Sequence, residues 1–344
     1  MLGALIGFGT IASGHFSAYQ QIQDASIIAV VDPVLERRNK AKTLDKNLQV
    51  YKTIGSLFSQ ENVEFIDICS PPHTHLDYIR IGLKNGCHLL CEKPFLTSVR
   101  DYKGILSLTK RAGKTLYPCH NYKFSPILKQ IYSRVHSKNF GQVVNAHFRV
   151  LRSGHAVGVP EWNPHWRRNQ NISSGGILRD HGTHSIYIAT HLSGSMPIAV
   201  SCLIGNLRKD NYTENEDTAL LTLYFKKSRY FTIDLSWAAN FRYTYYSVTG
   251  TKEMVTVEND EISFTTPSGK LVREIIPSEF NDPTHKAWFV DVIHDFLDTV
   301  KSPNRQVPLL NEALMTTLVI EKAYESARLG GVKLDLPRLS KNML

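Results

Sequence analysis

Ala4-Leu5-Ile6-Gly7-Phe8-Gly9-Thr10-Ile11-Ala12 decides the reading of the chain. An apolar strand runs into a glycine-rich turn, and a helical pattern follows at Phe16, Tyr19 and Ile22. This order matches the G-x-G-x-x-G/A fingerprint of a dinucleotide site. Gly7 permits the tight turn, Gly9 lets the backbone approach a pyrophosphate, and Ala12 keeps the helix close to its strand. The N–H groups at the helix start then face the anion. A second strand, Ile27 to Val31, ends at Asp32, twenty residues past Ala12, where a carboxylate accepts hydrogen bonds from ribose hydroxyls. It would repel a 2′-phosphate, which favours NAD over NADP. Arg37 and Arg38 on the next helix can soften that preference, and Asp32 before Pro33 also reads as a helix cap.

Outward from this unit, strands and helices alternate. A short strand near Val50-Tyr51 is followed by a helix near Ser56 to Gln60 and a strand from Val63 to Cys69. That strand meets Ser70-Pro71-Pro72, and His73-Thr74-His75 opens a helix to Asn85. The apolar run His88-Leu89-Leu90-Cys91 stops at Glu92-Lys93-Pro94, a helix spans about Ser98 to Ala112, and Thr115 to Cys119 is a sixth strand. Such alternation predicts a doubly wound parallel sheet. Ligands collect at the carboxyl ends of its strands, so Gly7, Asp32, Ser70, Lys93 and His120-Asn121 should share one edge.

At 344 residues, with 42% apolar and 21% charged residues, the chain suits two globular domains. No apolar stretch is long enough to span a membrane, and the N-terminus enters a strand without the layout of a signal peptide. Five cysteines without a CxxC pair suit buried, reduced thiols, so a cytoplasmic protein is expected. The net charge of +9 fits an anionic ligand such as a dinucleotide or a nucleotide sugar. Lys and Arg form no dense run, which argues against nucleic acid as the main partner.

Beyond Gly141 the pattern changes. Residues 142–151 read as a strand with apolar Val144, Ala146, Phe148 and Val150. An irregular stretch rich in Trp and Arg follows, containing Asn163-Pro164-His165-Trp166-Arg167-Arg168, and then Ser174-Gly175-Gly176 opens a helix. From Pro197 to about Ile276 only strand-like segments occur, which predicts a mainly antiparallel sheet covered on one face. Two helices, His285 to Val300 and Asn311 to Leu329, close the chain.

Asp180 and His184 lie four apart on the Gly176-initiated helix and share a face. Oxidising a secondary alcohol needs a base for the hydroxyl proton and a cation for the developing oxyanion. His184 suits the first role and Lys93 the second, while Asp180 can orient His184 or hold a second hydroxyl. Taken alone, His184 reads more simply as a structural histidine. A metal site at Asp180, His181 and His184 is disfavoured because His181 should point to another face, so no metal is expected.

Four motifs in order, Gly7-Phe8-Gly9-Thr10-Ile11-Ala12, Ser70-Pro71-Pro72-His73-Thr74-His75, Glu92-Lys93-Pro94, and Gly175-Gly176 with Asp180-x-x-x-His184, resemble the Gfo/Idh/MocA oxidoreductases. Asn121-Tyr122-Lys123-Phe124-Ser125-Pro126 also resembles the family, with Lys123 where an Arg is usual. The resemblance implies an α/β architecture, with a Rossmann domain over residues 1–121 and a second α/β domain over 122–344 whose large, mainly antiparallel open sheet builds dimers or tetramers. It implies that Lys93, Asp180 and His184 are catalytic and that the Lys93–Pro94 peptide can be cis. The cofactor contacts implied are Gly7, Gly9, Thr10, Ile11, Asp32, Ser70, Pro71, His75, Glu92, Lys93 and Asn121.

Sugars, polyols and nucleotide sugars are the implied substrates, with Arg149, Trp166, Arg167, Asp180 and His184 as contacts. Arg149, Arg152, Arg167 and Arg168 tilt the expectation toward an anionic substrate such as a UDP-linked N-acetylhexosamine oxidised at C3. Two alternatives share the motifs, a glycosidase that retains NAD and works through transient oxidation, and a non-catalytic NAD sensor.

Overall fold

A computed structural model describes residues 1–266, 268–277 and 284–339. Six parallel strands, β1 (Leu2–Ile6), β2 (Ser26–Val31), β3 (Gln49–Tyr51), β4 (Phe65–Ile68), β5 (His88–Cys91) and β6 (Leu116–Pro118), form a sheet in the order β3-β2-β1-β4-β5-β6. Their register lines up the carboxyl ends. Ile6 pairs with Val31 and Ile68, Ile68 with Cys91, and Cys91 with Pro118. The residues just past these pairs therefore share one edge, and the strand order reverses between β1 and β4, where ligands bind in such sheets. The buried parts of β1, β2 and β5 are continuous apolar runs because helices cover both faces, while β4 interrupts its apolar run with the buried Asp67.

The second sheet has nine strands: β7 (Val143–Leu151), β8 (Ala199–Gly205), β9 (Thr218–Tyr224), β10 (Tyr230–Ser236), β11 (Tyr243–Gly250), β12 (Met254–Glu258), β13 (Glu261–Thr265), β14 (Leu271–Ile275) and β15 (Leu334–Asp335). Its order is β14-β13-β12-β11-β7-β10-β9-β8-β15, and it is mainly antiparallel, as expected. The β7–β10 pair is parallel, because the helix Ile177–Ser193 carries the chain away from β7 before the β8-β9-β10 meander returns beside it. One face packs on that helix and on Gln306–Arg328, with Phe148, Phe231, Ile233, Ile186 and Ile320 in a common core. The other face is open and exposes Leu203, Leu220 and Tyr230.

The helix Pro126–Val135 was not among the expected elements. Its signal is Ser125-Pro126, with the Ser125 side chain accepting from Leu128 N and Pro at the first helical position. The last helix begins at Gln306 rather than Asn311, since Pro308 is tolerated in a first turn. The C-terminal helices also return to the first sheet. Phe289, Val292 and Phe296 pack with Leu5, Phe8 and Phe16, and Leu310 and Leu314 pack on its other side.

Candidate functional site

The edge of the first sheet and the start of the Ile177–Ser193 helix face each other across a cleft of about 540 Å³. That volume is ordinary for a ligand site. On the β1 side, Gly7 has φ +88°, and a Cβ there would lie 2.9 Å from Ser70 Cα, so the turn admits only glycine. Thr10–Tyr19 follows with no side-chain cap, leaving its first N–H groups directed at the cleft that Gly9, Thr10 and Ile11 line. A Cβ at Gly9 would meet nothing within 4 Å. Asp32 Oδ2 accepts from Phe8 N at 2.7 Å and Oδ1 from Val34 N at 2.9 Å, which holds the carboxylate at the tip of β2. Arg38 Nη1 donates to Asp32 O, and Arg37 Nε donates to Phe8 O.

Ser70, Pro71, Glu92, Lys93 and Asn121 line the same cleft. The Lys93–Pro94 peptide is cis. Asn121 is 2% exposed and its Oδ1 has no hydrogen-bond partner among the described residues. An uncapped helix N-terminus, an open cradle at Gly9 and an orphaned buried carbonyl in the wall fit a dinucleotide. The same residues would hold NAD, with Asp32 at the ribose.

Opposite stands the Ile177–Ser193 helix, 14 of whose 17 residues are buried. Its polar groups therefore need partners. Lys93 Nζ donates to Asp180 Oδ1 at 2.7 Å, and Arg167 Nε to Asp180 Oδ2 at 3.2 Å. Burial alone would raise the Asp180 pKa, but the Lys93 and Arg167 charges outweigh it and hold the carboxyl well below its usual range. Burial and then the Lys93 charge hold His184 well below its ordinary value, so the imidazole is neutral. His184 Nδ1 lies 2.7 Å from Tyr187 Oη, Tyr122 N donates to the same oxygen at 3.2 Å, and the His184 ring packs on Tyr122 at 3.9 Å.

Trp166 and Arg167 also line the cleft, the guanidinium lying 4.2 Å from the indole centroid. Two expected contacts lie elsewhere. Arg149 points away from the core because Ala146, Phe148 and Val150 take the buried face of β7, and it pairs with Asp234 on β10 at 2.7 Å. His75 is 1% exposed and does not line the cleft. Its ring bridges Ser70 O at 2.8 Å and Pro94 O at 2.9 Å, tying two strand ends together. His181, expected on another face, is part of the cleft wall, with Nδ1 3.6 Å from Asp180 Oδ2 and 3.3 Å from Trp237 Nε1.

Other determinants escaped sequence reasoning. Glu216, far along the chain, accepts from Gly176 N, Leu178 N and the Tyr324 hydroxyl. It caps the helix that carries Asp180 and His184. A Cβ at Gly176 would come within 1.9 Å of Glu216 O, so a glycine precedes this helix for want of space. Beneath Lys93, the wholly buried His15 lies between Asp67 (2.7 Å) and Glu92 (3.2 Å). Burial pushes the imidazole pKa down, but the two carboxylates raise it to about 9. His15, Glu92 and Cys119 bring three metal-ligating atoms together, as do His15, Asp67 and Cys69. The imidazolium already links both carboxylates, which makes this a hydrogen-bonded ion network. All five cysteines are free and buried. No helix among the described residues is long and apolar enough to cross a membrane.

Residues 2–120 match an oxidoreductase family with an NAD-binding Rossmann fold, and residues 128–256 match the GFO/IDH/MocA C-terminal domain. D-apiose dehydrogenase of Paraburkholderia graminis is 25% identical over 251 residues, covering 69% of this chain and 60% of that protein. D-glucoside 3-dehydrogenase of Escherichia coli is 26% identical over 192 residues, covering 56% and 53%. The chain thus spans less than two thirds of the length of these two relatives. A crystal structure of an oxidoreductase from Agrobacterium radiobacter with NAD+, L-tartaric acid and magnesium superposes with a TM-score of 0.85 at 20% identity, over 97% of this chain and 98% of that one.

Proposed function

The chain belongs to the Gfo/Idh/MocA oxidoreductase family, and we propose that it oxidises a secondary hydroxyl of a sugar, polyol or nucleotide sugar with NAD. The observation that carries this reading is the 2.7 Å contact of Lys93 with Asp180 in the cleft that also holds the glycine turn and His184. When bound, NAD supplies the hydride acceptor. Lys93 presents its ammonium to the substrate oxygen and stabilises the charge that develops there as the C–H bond breaks. His184 takes the hydroxyl proton at Nε2, and its neutral resting state leaves it able to do so. Asp180 holds Lys93 in place, and Arg167 on its second oxygen narrows the pocket toward the Trp166 side.

Residues 1–121 then serve the cofactor and residues 122–344 the substrate and assembly. The exposed Leu203, Leu220 and Tyr230 on the open sheet support a homo-oligomer. Arg152, Arg167 and Arg242 in the cleft wall favour an anionic substrate of the UDP-N-acetylhexosamine class, oxidised at C3. The purified protein with NAD should give a rise in reduced-nicotinamide absorbance with one or more members of a panel of sugars, polyols and nucleotide sugars. No rise with any of them removes the reading.

A further inference from the structure

Beside the main cleft lies a second cavity of about 250 Å³, bounded by the loop after β7 and the loop after β8. Val157 lines both spaces, so the two are adjacent. The second is lined by Arg168, Arg208, His155, His165 and Tyr212, among others, and by no carboxylate among the described residues. Arg168 has its Nε buried without a hydrogen-bond partner among the described residues, and its guanidinium stands 5.8 Å from the Tyr212 ring centroid. Among the described residues the Arg208 guanidinium binds only neutral oxygens, on Ser153, Ala239 and Asn240. Asp217 lies near Arg208, but its carboxylate is turned to the Leu207 and Arg208 main-chain N–H groups.

Neither arginine has an ion pair among the described residues. Two guanidiniums without such a pair in one concavity form a cation-lined hollow suited to a planar or tetrahedral oxyanion. The His155–His165 contact of 3.1 Å, with His155 Nδ1 2.8 Å from Tyr212 Oη, shapes the wall between them. Burial, with the Arg168 and Arg167 charges added, depresses His155 to about 4 against the opposing pull of Asp180.

We propose that this cavity is an anion-binding site for a phosphate-class oxyanion, held by Arg168 and Arg208 with His165 at its mouth. Arg167 meets Asp180 at the reacting end, and Arg168, the next residue, turns to the second cavity. The segment 155–168 thus links sugar recognition to anion recognition. Resting on the nucleotide-sugar reading above, this assigns the oxyanion to the substrate's own phosphate. A free phosphate acting as an effector would use the same chemistry.

Titration of the NAD-saturated protein with inorganic phosphate, followed calorimetrically, tests the site while the cofactor cleft is blocked. Arg168→Gln should weaken phosphate binding about tenfold, the loss of one charge-assisted contact. His165→Glu, on an exposed side chain, should abolish it, while both variants bind NAD as the wild type does. Competition between UDP and phosphate marks the substrate's own group, and phosphate binding indifferent to UDP marks a free anion. Either result supports the site. Absence of phosphate binding, or equal binding by the wild type and both variants, overturns it. Phosphate binding in a protein that reduces no NAD with any sugar would instead sink the dehydrogenase reading and leave the anion site standing.

Discussion

Lys93 Nζ, past the end of a parallel strand in one sheet, lies 2.7 Å from Asp180 Oδ1, in the first turn of the helix that covers the other. The contact spans 87 residues of sequence and joins the side of the cleft built on the first sheet to the side built on the Ile177–Ser193 helix. Breaking a buried pair leaves one charge uncompensated, a larger loss than the pair's net worth. Lys93→Ala and His184→Ala are each expected to lower turnover at least about a hundredfold. NAD affinity, measured by fluorescence titration, should stay near the wild-type value. Loss of cofactor binding in either variant would refute the assigned roles.

Tyr187 is wholly buried and places its hydroxyl 2.7 Å from His184 Nδ1. When Nδ1–H donates to that oxygen, Nε2 is free to accept a proton, as oxidation requires. When the tyrosine donates instead, Nε2–H faces the cleft, as reduction requires. Tyr187→Phe removes this control and should cut kcat about tenfold with KM little changed. Wild-type kcat/KM should show no acid limb near pH 6.5, because His184 titrates well below that value. A limb at 6.5 that disappears in His184→Ala would contradict the burial argument.

Stability should peak in the neutral range. His15, raised to about 9, contributes stability that is fully present below the unfolded value near 6.5 and is lost as the pH rises through 9. The shift corresponds to about 3 kcal/mol as an order of magnitude. His75, His120 and His184 are depressed by burial, so the unfolded chain binds protons that the fold does not, and stability falls below about pH 6.5. Thermal unfolding across pH 4 to 10 should therefore trace a dome. A Tm that climbs steadily above pH 8 would rule out the buried His15 imidazolium.

Cofactor choice follows from what Arg37 and Arg38 already do. Both donate to main-chain oxygens, and Arg37 also reaches Glu161 at 3.4 Å, while the Asp32 carboxylate lines the cleft. NAD should bind at least about tenfold more tightly than NADP, the cost of setting a carboxylate against a 2′-phosphate. Asp32→Asn should narrow the gap. Equal affinities in the wild type would show that the arginines are free to exchange partners.

Sequence alone determined the first sheet and its edge. Gly7, the alternation of strands and helices and the acidic end of β2 are local features, and local spacing is enough to place them. The i, i+4 relation of Asp180 and His184 was readable for the same reason. The outward direction of Arg149 was readable too, because Ala146, Phe148 and Val150 already claimed the inner face of β7. Tertiary structure alone decided what each charge meets. Glu216 capping the helix of Asp180, His15 between Asp67 and Glu92, and Tyr187 beside His184 and Tyr122 N arise where separately folded elements pack. No spacing in the chain encodes them, because buried polar groups take whatever partner the packing brings within reach.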